Sequence, residues 1–202
     1  MTATALPPLR DITSTRTTLH WIAENVLAAQ QYAANEQLAL TSTPHGFATG
    51  WFPADGADLR IRVEGDQVIR ETTGQDTREP IRGEFDPDAA ELLYAWWGLG
   101  QEVLTRMEAG AGESISPVVL WPEHFDIAVT LTRPDARAIN LGFSPGDEFS
   151  AQPYVYAGPW EVPTGDFWNA PFGAYRTYEQ IAGGDPFATA DDFLAAARAE
   201  FS

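Results

Sequence analysis

The stretch from Pro117 to Gly146, PVVLWPEHFDIAVTLTRPDARAINLGFSPG, contains the longest alternation of apolar and polar residues in the chain. Alternation with a period of two is typical of a β-strand that buries one face. The stretch ends in Pro145-Gly146, a pair that suits the centre of a type II turn. We therefore predict an antiparallel hairpin here. In its first strand one face carries Phe125, Ile127, Val129 and Leu131, and the opposite face carries Asp126, Ala128, Thr130 and Thr132.

A cluster of polar residues stands at the start of this strand, just after Pro122. If the strand begins early enough, His124 shares a face with Asp126, and the two side chains are near neighbours. A carboxylate beside an imidazole fixes the tautomer of a general base, so His124 is a candidate proton-transfer residue and Asp126 its orienting partner. The alternative is structural: Asp126 accepts backbone hydrogen bonds at the strand start, and His124 caps the preceding loop. Asn140, on the adjacent predicted strand, is a candidate polar contact for a ligand.

A segment rich in aromatic residues follows, PYVYAGPWEVPTGDFWNAPF, from Pro153 to Phe172. Aromatic side chains with a few polar groups among them are typical of pockets for small organic ligands. Tyr156, Trp160 and Trp168 are therefore candidate ligand-binding residues. The alternative is that these rings only cover a sheet that has too few helices.

The residues Gly142–Gly146, GFSPG, match the G-x-S-x-G pattern of serine hydrolases. In that motif the residue after the serine donates its backbone N–H to the oxyanion, and a helix follows. Here that residue is Pro145, which has no N–H, and the next residues, DEFSAQP, are not a helical sequence. We therefore reject Ser144 as a nucleophile.

Helical periodicity predicts two long helices, over about residues 17–35 and 87–109, and a short C-terminal helix over 191–201. The apolar band of the second helix is wide enough to pack between two layers. Close approach of a neighbouring backbone explains Gly98 and Gly100 within it. Because strand patterns stand between the helices, we predict an α+β fold with antiparallel sheet. A length of 202 residues suits one domain, 1–202, with similar halves at 14–85 and 86–202.

The composition excludes several chemistries. The chain has no cysteine, and all 12 basic residues are arginine, which excludes thiolate zinc sites, cysteine nucleophiles, Schiff-base lysines and P-loop lysines. The formal net charge of −17 opposes binding to nucleic acid or to a membrane of anionic lipid. The three histidines lack metal-binding spacing, so we predict no metal and no cofactor. With no signal-peptide pattern and no bilayer-length apolar run, we expect a cytoplasmic protein.

The order of several motifs resembles that of a family of uncharacterised bacterial proteins, often actinobacterial, that share a domain of unknown function. The matching motifs are Leu19-His20, Ser116-Pro117, FDIAVT at 125–130, GFSPG at 142–146, Tyr154 with Tyr156, Phe167-Trp168, an aromatic-rich second helix and a final acidic helix. The chain departs from the family at Pro122-Glu123-His124, where the family has small residues after its tryptophan. The resemblance implies an α+β fold and a bacterial origin, and it supplies no mechanism.

Two functions are compatible with these patterns. The first is a protein that binds a small molecule, with or without catalysis, in a cleft near His124, Asp126 and the aromatic segment. The second is a non-catalytic protein-interaction module whose acidic surface binds a basic or hydrophobic partner and whose aromatic residues all belong to the core.

Overall fold

The computed structural model describes residues 5–201. It is an α+β fold with two antiparallel sheets, which confirms the predicted class. The helical elements are α1 (Thr13–Ile22), which continues through a π-helical segment (Ala23–Ala28) into α2 (Ala29–Asn35), and then α3 (Pro87–Thr105), α4 (Tyr178–Ala182) and α5 (Pro186–Glu200).

The first sheet has the order β1-β2-β4-β5-β6, and β3 pairs with a further part of β4. Ile61 and Val63 are fully buried on one face. On the opposite face, Arg62 donates from Nε to Glu71 Oε1 at 2.8 Å. The strands are β1 (Thr41–Thr43), β2 (Gly46–Ala48), β3 (Phe52–Ala54), β4 (Ala57–Glu64), β5 (Gln67–Thr72) and β6 (Gln75–Pro80).

The second sheet contains the predicted hairpin, formed by β9 and β10 with Val129 opposite Leu141. Its order is β12-β11-β10-β9-β7, and β8 pairs with β9 beside β7. The predicted apolar face is buried, because Ile127, Val129 and Leu131 are at most 2% exposed. The strands are β7 (Ser114–Ile115), β8 (Val119–Trp121), β9 (Asp126–Thr132), β10 (Ala138–Ser144), β11 (Tyr154–Pro159) and β12 (Ala174–Thr177).

Helix α3 packs between the two sheets, as its wide apolar band predicts. It contacts β1 of the first sheet and β9 and β10 of the second. Trp96 and Trp97 are fully buried, and the Trp97 ring lies 4.5 Å from that of Phe125. A backbone bridge between Leu40 and Leu120 connects the edges of the two sheets. The second sheet therefore has its inner face fixed on α3, and its other face is left for the site.

The glycines of α3 differ in their surroundings. A Cβ added at Gly100 would lie 2.7 Å from Cγ2 of Ile127 and 3.0 Å from the ring of Phe143, whereas one added at Gly98 would meet nothing within 4 Å. Close approach therefore explains Gly100 alone, and the helix meets side chains of β9 and β10 there. The prediction of a neighbouring backbone at both glycines is wrong.

The helices also differ in length from the prediction. The C-terminal helix is not short: α5 has 15 residues, because Asp185 accepts a hydrogen bond from the N–H of Ala188 and Pro186 occupies the first turn. The first long helix is interrupted by its π-helical segment. Helix α4 is too short for periodicity to reveal, and its start is fixed by a capping box between Thr177 and Gln180.

Strand β6 has a polar sequence, QDTREP, without the alternation that is typical of a half-buried strand. Every residue of β6 is exposed, and the strand forms through its backbone pairing with β5. Each sheet follows a long helix in the chain, but the division into similar halves at 14–85 and 86–202 stays a prediction. No helix within residues 5–201 is long and apolar enough to cross a membrane.

Candidate functional site

A cavity of about 1230 Å³ opens on the face of the second sheet that points away from α3. Side chains alternate along a strand, so the residues of β9, β10 and β11 that face the cavity are those between the core residues. Helix α1 forms one wall, and the turns around Pro122 and Gly146 and the segment after β11 form the rest. The residues that form the floor are Asp126, Asn140, Ser144, Tyr154, Tyr156 and Gly158.

Asp126 is the central residue of this floor. It is 7% exposed, and it is the only buried acidic or basic residue among residues 5–201. The hydroxyl of Tyr156 donates a hydrogen bond to Oδ2 of Asp126. The other carboxyl oxygen, Oδ1, is buried and has no hydrogen-bond partner within the described structure. The buried carboxyl therefore uses only part of its capacity to accept hydrogen bonds.

The pair between Asp126 and Tyr156 spans a whole strand, and a glycine makes this possible. Gly142 of β10 is opposite Ala128 of β9 on one side and Tyr156 of β11 on the other. A Cβ at Gly142 would lie 2.7 Å from both Cζ and the hydroxyl oxygen of Tyr156. Because glycine has no side chain, the tyrosine ring lies across β10 and its hydroxyl reaches the carboxyl on β9.

The site shifts the proton affinities of both partners. Burial raises the pKa of Asp126, while the hydrogen bond from Tyr156 and the charge of His124 oppose this shift. Burial and the adjacent carboxylate raise the pKa of Tyr156 well above its ordinary value. The phenol therefore keeps its proton at neutral pH and remains the donor of the pair.

A second carboxylate–phenol pair lies beside the first. The hydroxyl of Tyr154 donates to Oδ2 of Asp147 at 2.6 Å, and burial together with this bond raises the pKa of Tyr154. The rings of Tyr154 and Tyr156 lie 6.2 Å apart. The floor thus carries two neighbouring tyrosines, each tied to a carboxylate.

His124 lines the same cavity but differs from the predicted geometry. The strand begins at Asp126, and His124 lies in the preceding turn, residues 122–125, where it is exposed. The N–H of Phe125 closes this turn on the carbonyl of Trp121 at 2.7 Å, with Phe125 in the left-handed region at φ +56°. The condition for a face shared by His124 and Asp126, a strand that begins before Asp126, is therefore not met. Asp126 accepts its hydrogen bond from Tyr156, and no hydrogen bond joins it to His124 in the described residues. Its predicted role in orienting His124 therefore lacks the contact that it needs.

Helix α1 contributes residues that the sequence analysis did not select. His20 Nε2 lies 2.8 Å from the carbonyl oxygen of Pro122, and its ring stacks on Phe125 at 5.1 Å. Arg16 donates from Nη1 to the carbonyls of Pro145 and Ala151, at 3.3 and 3.2 Å. These contacts hold both turns of the cavity against the helix. The local signal was the helical spacing of His20, in α1, and Glu24, in the π-helical segment, whose Nε2 and Oε1 atoms lie 3.9 Å apart.

The predicted ligand-binding residues divide into two groups. Asn140, Tyr156 and Trp160 line the cavity together with Asp126 and His124. Trp160 is 72% exposed at the rim, and Asn140 accepts a hydrogen bond from the hydroxyl of Thr130 at 2.9 Å.

Trp168 is not among the residues that line the cavity. It is partly buried and packs on Phe167 with 5.1 Å between ring centroids, and Phe167 stacks on Phe193 of α5. The aromatic segment therefore does both of the things considered for it: its first part and its last residue, Phe172, line the cavity, whereas Phe167 and Trp168 cover the core.

The turn after β10 agrees with the rejection of a hydrolase motif. Gly146 has φ +95°, no helix follows it, and its N–H donates to the hydroxyl of the buried Ser144 at 3.1 Å. The chain leaves β10 here, and the carbonyl of Pro145 comes within 3.3 Å of Nη1 of Arg16.

The histidines do not form one cluster. His20 and His124 line the cavity, whereas His45 is exposed beside Glu91. Among residues 5–201, no three histidine or carboxylate side chains are grouped as ligands for a metal ion.

Comparisons of the chain with models of protein families, with curated proteins and with solved structures find no match. The resemblance to actinobacterial proteins of unknown function therefore stays a prediction.

Proposed function

We propose that this protein binds a small organic molecule in the cavity above Asp126. The observation that carries the proposal is the buried carboxyl at the cavity floor, which has one hydrogen bond from Tyr156 and one oxygen without a partner. Buried polar groups in proteins are as a rule hydrogen-bonded. A ligand that donates to Oδ1 would complete the set.

The energetics of the floor support a functional role. Moving an ionised carboxylate out of water costs several kcal/mol, and apolar residues in its place are often neutral or stabilising. Gly142 adds about 0.5–1 kcal/mol of lost strand stability relative to alanine. The sequence therefore keeps two unfavourable choices in adjacent strands, both of which serve the pair between Asp126 and Tyr156. Such local conflicts with stability are typical of binding and catalytic sites.

The proposal concerns binding, and it does not require catalysis. The assignment of His124 as a proton-transfer group and Asp126 as its orienter stays a prediction, as does the cytoplasmic location. The alternative function, a module that docks a protein partner, draws support from Trp21 and Trp160, which are 60% and 72% exposed at the cavity mouth. A docking surface uses those tryptophans but has no need of the buried carboxyl.

Thermal-shift screening against a metabolite library tests the proposal with Asp126→Asn as the site variant. Asp76→Asn is the matched control, since Asp76 is exposed on β6 in the other sheet. A ligand present at 100 times its Kd should stabilise the folded chain by about 2.7 kcal/mol, which raises Tm by about 5 to 10 °C at this chain length. We expect that shift in the parent and in Asp76→Asn, and its loss in Asp126→Asn.

The alternative makes a different forecast for the same variants. A docking module would show no metabolite shift that depends on Asp126. Its partner would be lost on Trp160→Ala and retained by Asp126→Asn. That pair of results would replace the binding proposal with the interaction module.

A further inference from the structure

The cavity that contains Asp126 has a marked excess of negative groups. Five carboxylates line it, and Arg16 is its one guanidinium among the described residues. Arg16 is already engaged, since it donates to two backbone carbonyls and lies in the field of Asp147. The five carboxylates are those of Glu24, Glu123, Asp126, Asp147 and Glu148.

A net charge of −17 makes acidic surfaces ordinary in this chain, so an acidic rim alone would mean little. Asp126 is different because it is buried, and the exposed carboxylates elsewhere are solvated. The titratable groups that act on it are Tyr156 and Tyr154 of β11, His124 of the turn, and Asp147 of the loop after β10. The tyrosines supply no positive charge, and His124 makes no hydrogen bond to the carboxyl. A buried anion at this position therefore lacks a fixed cation.

Aromatic rings surround the same space. Trp21 of α1 and Trp160 after β11 are the exposed rings of the lining, while Tyr154, Tyr156 and Phe172 are more buried. The face of an aromatic ring carries negative electrostatic potential, so rings of this kind attract alkylammonium groups as well as apolar surface. The carboxylates and the ring faces thus both favour a positively charged ligand.

We infer that the ligand of this cavity is an organic cation, an amine or quaternary ammonium compound whose charged group lies against Asp126 and whose apolar part lies on the aromatic side chains. The inference rests on the proposed function and adds the chemical class of its ligand. A cationic head would supply the counter-charge that Asp126 lacks. A primary ammonium group would also donate a hydrogen bond to the free Oδ1.

Three matched probes separate charge from shape: 2-phenylethylamine, which is a cation at neutral pH, 2-phenylethanol, which is neutral, and 3-phenylpropanoate, which is an anion. Choline and its uncharged analogue 3,3-dimethylbutan-1-ol form a second pair. Titration calorimetry at low ionic strength measures the affinity of each probe for the parent chain, for Asp126→Asn and for Asp76→Asn. We expect at least one cation to bind at least tenfold more tightly than its neutral partner, and the anion to bind most weakly.

The variants and the pH give the second readout. Asp126→Asn should remove the tenfold preference for the cation, whereas Asp76→Asn should retain it. Since binding requires the ionised carboxyl, affinity for the cation should fall as the pH is lowered through the raised pKa of Asp126.

Three results would overturn the cation assignment. If the alcohols or the anion bind as tightly as the amines, or if Asp126→Asn leaves the preference for the cation intact, the ligand class is wrong while small-molecule binding stands. If no probe of any charge binds, the cation assignment also falls, and the metabolite screen described above then decides the proposed function independently.

Discussion

Gly142→Ala tests the geometry of the site most directly. The added Cβ would lie 2.7 Å from Cζ and from the hydroxyl oxygen of Tyr156 and 2.8 Å from Cε1, and no other residue is as close. If the ring stays in place, the overpacking costs about 1–3 kcal/mol. If the ring moves away, Asp126 loses its one hydrogen bond, and a bond to a charged group is worth about 1.5–3 kcal/mol. Alanine recovers about 0.5–1 kcal/mol of strand stability. We therefore expect a net loss of about 1–2 kcal/mol.

Urea unfolding in a double-mutant cycle with Tyr156→Ala isolates this effect. Tyr156→Ala removes the three atoms nearest to the added methyl group, and Gly142→Ala should then stabilise the chain by about 0.5 kcal/mol. Gly158→Ala is the matched control, because it lies on the same face of β11 and its Cβ would have no neighbour closer than 3.6 Å. An equal cost of Gly142→Ala with and without the Tyr156 ring would refute the reasoning, since the clash would then lie elsewhere.

Three further predictions concern stability. The folded state raises the pKa of Asp126, so the ionised carboxylate destabilises the fold above that pKa. Asp126→Asn should therefore unfold at a higher urea concentration than the parent at pH 7–8. This difference should vanish as the pH falls toward about 4. Gly98→Ala should stabilise the chain by up to about 1 kcal/mol. Gly100→Ala should destabilise it, because the new Cβ would lie 2.7 Å from Ile127. Equal effects of the two substitutions on urea unfolding would contradict this prediction. Trp96→Phe should lower the free energy of unfolding by about 1–3 kcal/mol more than the smaller ring alone would, because the buried carbonyl of Ser144 loses its donor at 2.8 Å. Amide exchange in β10 at the same rate as in the parent would contradict this prediction.

Local sequence signals predict much of the fold. The alternation after Phe125 identifies the buried face of β9, and Pro145-Gly146 marks the turn after β10. Asp86-Pro87 marks the start of α3, where the N–H of Asp88 donates to Asp86 Oδ1 at 2.9 Å. These features depend on residues within a few positions of one another, and their geometry is set by backbone sterics and local hydrogen bonds.

Part of the candidate site was also accessible from the sequence. His124, Asp126, Asn140, Tyr156 and Trp160 were selected by residue type and spacing, and all five line one cavity. Their mutual geometry was not accessible, because alternation tells which face a residue occupies and not which strand lies beside it or in what register.

The sequence by itself determined the buried face of β9 and the start of α3, since each of these follows from the conformational preferences of a short segment. Only the tertiary structure decided that the hydroxyl of Tyr156 passes over Gly142 and reaches the carboxyl of Asp126, 30 residues away in the chain. It also decided that His20 contacts the carbonyl of Pro122, 102 residues away. The physical reason is that contacts between distant segments depend on the register of three strands and on the placement of α1. Both are set by the packing of the whole core.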